Sequence, residues 1–162
     1  MISEQIVTET WQGMNEISES NAAILIDQMR REQPIIMMYL LAASEQSFDL
    51  EEGQAVFFIG IVIWLIMRKG QPELRKVDEK LLERTIEQNE TQLEKLTAEP
   101  GADRMMASTA LTYAEPEVLR YLVEALMEPD EDLEFSDEER GLAFVILKNA
   151  LDALIASRKN AN

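Results

Sequence analysis

The chain has 162 residues, 46% of them hydrophobic, and 31 acidic against 15 basic side chains leave a net charge of −16. That balance excludes the basic face with which a nucleic-acid binder neutralises phosphates, and it opposes docking on an anionic membrane surface. Cysteine and histidine are both absent, which removes disulfides, thiolate nucleophiles, Cys- or His-based zinc sites and the imidazole general base.

Met1 is followed directly by a polar, helix-like stretch and not by a basic segment with an apolar run, so no secretory signal is read and the expected location is the cytoplasm. Ile2, Ile6, Trp11, Met14 and Ile17 recur at spacings of three to five and mark a first helix. Ser18-Glu19-Ser20-Asn21 breaks it, with Ser20 or Asn21 as the next cap. A second helix carries Ala22, Leu25, Ile26 and Met29 and ends at Arg30-Arg31, because Pro34 restricts Gln33. Pro34 suits the first position of a third helix, whose run Ile35–Ala43 should pack on the most apolar stretch of the chain.

That stretch is Ala55–Met67, thirteen residues without a charge. A helix apolar on every side must be buried on every side. It falls short of the roughly 20 residues that span a bilayer. Asp49 and Glu52 have capping-box spacing upstream, and Arg68-Lys69-Gly70 closes the run as a helix C-terminus. These are the ends of a protein-buried helix, and Gly60 within it suggests a close crossing with a neighbour.

Pro72 should open a long charged helix over 72–98, with Leu74, Val77, Leu81, Leu82, Ile86, Leu93 and Leu96 as its stripe. The stripe lapses near Asn89-Glu90, which suggests a side that faces a partner. A short helix is expected from Asp103 through Met105, Met106, Ala110, Leu111 and Tyr113, and another opens at Pro116. Pro129–Phe135 reads as an acidic loop. Ser136 with Glu139 then starts a last apolar helix through Phe144 to Ile155, followed by a frayed polar tail from Ser157.

No stretch alternates with period two, so the fold class is all-α: six to seven helices bundled around the buried apolar helix, in one domain over 1–162. Residues 34–43 (PIIMMYLLAA) and 116–125 (PEVLRYLVEA) align, and each leads through a loop with phenylalanine and paired glutamates into an apolar helix. This suggests a pseudo-twofold duplication of helical hairpins, with half-repeats 1–71 and 72–158.

With His and Cys missing, chemistry would rest on carboxylates. Glu79, Glu83, Glu87 and Glu90, continued by Glu94, follow a helical spacing along the long helix and form a candidate Mg²⁺ or Mn²⁺ site. Lys80, Arg84 and Lys95 interleave with them, and a solvated face of helical ion pairs explains the row more simply. Asp130-x-Asp132-x-Glu134 resembles the start of an EF-hand loop, but Phe135 and Gly141 stand where the loop needs glycine and glutamate. No phosphate loop, nucleophile elbow or zinc motif occurs, so no catalytic residue and no cofactor is assigned.

The reading that follows is a non-enzymatic protein-interaction or regulatory module. It would bind a protein partner or form a homodimer, through the acidic residues Asp130, Glu131, Asp132 and Glu134. The alternatives are a carboxylate-metal hydrolase acting on a nucleotide or phosphorylated substrate, and a carrier of a hydrophobic small ligand in a Met-lined cavity.

Overall fold

Each helix among the described residues starts at a residue suited to start one. A computed structural model of the chain describes residues 1–70, 73–98, 113–128 and 133–159. Seven helices lie in them: α1 (Glu4–Asn15), α2 (Glu19–Glu32), α3 (Pro34–Ser47), α4 (Leu50–Lys69), α5 (Glu79–Ala98), α6 (Pro116–Met127) and α7 (Asp137–Ala156). Side-chain caps begin five of them. Ser3, Ser18, Asp49, Asp78 and Ser136 accept from the amides of Ile6, Asn21, Glu52, Leu81 and Glu139, each satisfying an amide the helix leaves unpaired. Pro34 and Pro116 begin the other two at N1, where the missing N–H is no loss. The cap of α2 is Ser18, not Ser20 or Asn21. The expected short helix from Asp103 lies outside the described residues, apart from Tyr113.

The architecture is the expected all-α bundle with α4 at its centre. α4 packs against α1, α2, α3, α6 and α7, and Val56, Val62, Trp64 and Ile66 are fully buried. By length and composition alone α4 could cross a membrane, but most of its apolar stretch is enclosed by the other helices. Burying each such side chain contributes about 1.5–3 kcal/mol. Gly60 permits a close approach of α3: a Cβ there would stand 2.7 Å from Leu40 Cδ1.

α7 lies alongside α4 and runs in the same direction. At one end the rings of Phe48 and Phe135, one residue before each helix cap, meet edge to face at 6.3 Å between centroids. At the other end the chains leaving both helices pair. Arg75 N donates to Ser157 O at 2.8 Å and Lys159 N to Glu73 O at 3.0 Å, around an antiparallel bridge between Leu74 and Arg158.

This pairing corrects two expectations. The long helix begins at Glu79, not Pro72, and Glu73–Val77 is extended. Leu74 and Val77 mimic helical spacing, but the segment gains more from backbone partners on the C-terminal segment. Ser157–Lys159 is accordingly paired and not frayed. Gln33, buried at the start of α3, holds the same strap: its Nε2 donates to Arg75 O at 2.8 Å and its Oε1 accepts from Val77 N at 3.0 Å. Glu115 occupies the matching place before α6, fully buried, and accepts from Ile2 N at 2.8 Å and Arg158 at 2.6 Å.

Other positions correspond in the same way. Ile36 and Leu40 on α3 match Val118 and Leu122 on α6, all fully buried. Exchanging α1 with α5, α3 with α6 and α4 with α7 maps α1·α4 onto α5·α7, α1·α6 onto α5·α3, and α3·α7 onto α6·α4, and every one of these contacts is present.

Two glycines separate packing from helix propensity. A Cβ at Gly53 would meet the Ser44 carbonyl oxygen at 2.8 Å, whereas one at Gly141 would meet nothing within 4 Å. We predict that Gly53→Ala destabilises by about 1–3 kcal/mol despite the better helix former. Gly141→Ala is expected to stabilise by about 0.5–1 kcal/mol. Urea denaturation measures both, and a stabilised Gly53→Ala would contradict the close α3–α4 approach.

Candidate functional site

The residues singled out from sequence divide into two groups. Glu79, Glu83, Glu87 and Glu90 are all exposed on α5. Among the described residues no group of three or more acidic side chains is arranged to hold a metal ion. Asp130, Glu131 and Asp132 lie outside the described residues, and Glu134 is exposed just before Phe135. Two surface recesses of about 640 and 580 Å³ are each lined from a single helix, the first with its C-cap Glu16. The first is lined by Glu9 to Glu16, and the second by Arg84 to Gln92. Neither is enclosed between helices, as a carrier cavity would be.

The lapse in the α5 stripe at Asn89 has an internal cause. Asn89 Nδ2 donates to Asn149 Oδ1 at 2.7 Å and to Asp152 Oδ2 at 2.9 Å on α7. Lys148 Nζ bonds Asp152 Oδ2 at 2.7 Å, Asn149 Nδ2 donates to the Tyr39 hydroxyl at 3.0 Å, and the Tyr113 hydroxyl donates to Asp152 Oδ1. The Lys148 ammonium also lies 5.5 Å from the Tyr113 ring centroid. Burial, then the charge of Asp152, pushes the Tyr113 hydroxyl well above its ordinary range, so it stays a donor. Lysine, carboxylate and tyrosine are thus committed to one another, and the cluster clamps α3, α5 and the entry to α6 onto α7. The sequence held a signal for it: Asn149 is a buried amide inside an apolar helix.

A second site forms where α4 and α7 begin. Asp49, Glu51 and Glu52 crowd one helix start, and Asp137, Glu138 and Glu139 the other. Each set complements its own helix dipole, but parallel packing brings both sets together. Across described residues 41–56, 121–128 and 133–139 there are ten acidic side chains and no lysine or arginine. Arg140, next in line, is held by Asp137 at 3.1 Å and the Leu126 carbonyl at 3.2 Å. Arg68, Lys69, Arg75, Lys76, Arg158 and Lys159 collect where α4 and α7 end. The bundle is polarised, with one acidic and one basic end.

Within the acidic end, Glu52 and Glu139 are hydrogen-bonded to each other through their carboxyl groups. That bond, with the nearby charge of Asp49, pushes Glu52 up to about 7 and holds Glu139 below the ordinary carboxylate range. Exposed apolar side chains adjoin the acids: Leu50 is 77% exposed, Met127 58% and Leu142 42%. Sequence reasoning placed the acidic binding face on the 130–134 loop and took Glu52 only as part of a helix cap with Asp49. Opposing helix starts cannot be read from one chain segment.

No family model, curated protein or solved structure matches this chain.

Two predictions test these sites. Asp152→Ala should destabilise by about 2–4 kcal/mol, because it leaves the Tyr113 hydroxyl without its acceptor and Lys148 with only Asn89 Oδ1 at 3.4 Å. A thermal or urea midpoint like that of the parent would contradict the clamp. For Glu52 the folded-state pKa lies above the unfolded one. The proton it shares with Glu139 therefore stabilises the fold below about 7 and is lost as pH rises through that value. Denaturation midpoints should fall between pH 6 and pH 8 in the parent and stay level there in Glu52→Gln.

Proposed function

We propose that the chain is a non-enzymatic protein-interaction module of the cytoplasm. It is a single domain over 1–162 built from two half-repeats, 1–71 and 72–158. Its binding surface is the acidic end of the bundle, continued by Asp130, Glu131, Asp132 and Glu134, and its partner is a basic protein. The observation that supports this reading is the segregation of charge: ten carboxylates stand at one end, and only Glu124 and Asp137 among them pair with an arginine, Arg120 and Arg140 respectively. Fields of one sign over such an area steer oppositely charged partners and repel like-charged ones. A homodimer through the same end would set two acidic surfaces face to face, because a twofold interface uses one patch twice.

The carboxylate-metal reading has less support. Glu79, Glu83, Glu87 and Glu90 point to solvent, with no facing carboxylates among the described residues. The hydrophobic-carrier reading lacks an enclosed recess among those found.

The test is capture from lysate with the tagged chain and with Asp130→Lys/Asp132→Lys/Glu134→Lys, read by mass spectrometry at low and high salt. Capture of a basic protein is expected to weaken by about tenfold or more in the variant and to fall with salt, since repulsion replaces a screened attraction. Capture unchanged by either would sink the acidic binding face.

A further inference from the structure

We infer that two copies of this chain pair through the outward face of α3, with the two α3 helices antiparallel about a twofold axis. The inference goes beyond the acidic binding face and does not depend on it, because it uses the side of the bundle and not its end.

α3 turns Ile36, Met37, Leu40 and Ser44 into the core. Met38, Leu41 and Ala42 lie on the opposite face at spacings of three and four, so they adjoin in one strip. Met38 is 64% exposed, Leu41 is 40% exposed, and Ala42 is exposed with them. No charge interrupts the helix from Pro34 to Ser44, and Glu45 closes the strip.

The corresponding helix shows the same position furnished for water. α6 carries Arg120, Val123 and Glu124 where α3 has Met38, Leu41 and Ala42, and Arg120 pairs with Glu117 at 3.5 Å and Glu124 at 3.1 Å. Only α3 presents an uncharged strip there, in a chain of net charge −16. Such strips gain by being covered, and unbranched methionine adapts to the cover.

Charge selects the occupant and its direction. α3 starts at the basic end of the bundle, where Gln33 holds Arg75 and Val77 and Arg68 pairs with Glu32 at 3.0 Å. It stops at the acidic end, where Ser47 is followed within three residues by the start of α4. Antiparallel packing of α3 on its copy therefore sets the acidic end of each bundle beside the basic end of the other. Glu45 of each copy is directed toward the α3 start of the other, which Arg30 and Arg31 precede; both arginines stay exposed in their pairs with Asp27 at 3.3 and 3.5 Å. A twofold contact uses one patch twice, and an uncharged strip flanked by opposite charges at its two ends complements itself.

Sedimentation equilibrium of the full chain between about 1 and 100 µM is expected to show a dimer. Met38→Glu/Leu41→Glu should raise the dimer Kd about tenfold or more, as should Ala42→Glu, since each sets carboxylates against one another across the axis. All three positions are exposed, so both variants should keep the parent's helicity. Val123→Glu, at the α6 position matching Leu41 and equally exposed, should dimerise like the parent. The chain has no cysteine, so Arg31→Cys and Glu45→Cys report direction with a short thiol cross-linker. Links between copies should form when the two variants are mixed and not within either alone.

A parent that is monomeric throughout that range, or a dimer indifferent to the α3 substitutions, would overturn the inference. Links within each cysteine variant alone would show parallel helices and also overturn it. A monomeric parent that captures a different protein, lost in Met38→Glu/Leu41→Glu, would assign the strip to that protein and not to a second copy.

Discussion

The side-by-side, same-direction packing of α4 and α7 is the constraint from which the rest of the molecule follows. Two long apolar helices can each bury a full circumference only if every neighbour contributes cover. α1, α3 and α6 are accordingly laid against one or both of them, with α2 on α4 and α5 on α7. Parallel alignment also sums two helix dipoles, so both positive ends fall together and both negative ends fall together. Carboxylates gather at the first and basic side chains at the second. The charge segregation proposed to serve binding is thus a consequence of how the core is assembled.

The two ends of the helix pair are secured differently. At the basic end the connection is backbone pairing between Glu73–Arg75 and Ser157–Lys159, held by buried Gln33 on one side and by the Glu115–Arg158 pair on the other. At the acidic end it is one aromatic contact and two carboxyl groups sharing a proton. The first arrangement gains in strength from burial, whereas the second weakens as pH rises through about 7 and the shared proton leaves.

What could be read from residues alone was what depends on local chemistry. Asp49 and Ser136 announced their helices by capping spacing, Pro34 and Pro116 by ring geometry, and Ala55–Met67 by a run too apolar to face water. What could not be read depended on partners distant in sequence. Leu74 and Val77 carry a helical period, yet pairing with residues more than eighty positions away holds that segment extended. Asn89 looked like a gap in a stripe because Asn149 and Asp152, which complete it, lie on another helix. The acidic face was legible as composition around 130–134, but its extension to Asp49, Glu51 and Glu52 required knowing that two helices begin at the same place.

The proposed function reduces to one spatial statement: a partner touches the end of the bundle where α4 and α7 begin. Zero-length coupling of carboxylates to amines tests it most directly, applied to the tagged chain purified with its bound proteins and read by mass spectrometry. That end carries many carboxylates and no lysine, so every link formed there to an amine of another protein reports an encounter. The account predicts that links between chains concentrate on Glu45, Asp49, Glu51, Glu124, Glu128, Glu134, Asp137 and Glu138. Links concentrated instead on the solvent face of α5, at Glu79, Glu83, Glu87 and Glu90, would contradict it and move the binding surface to the opposite side of the core.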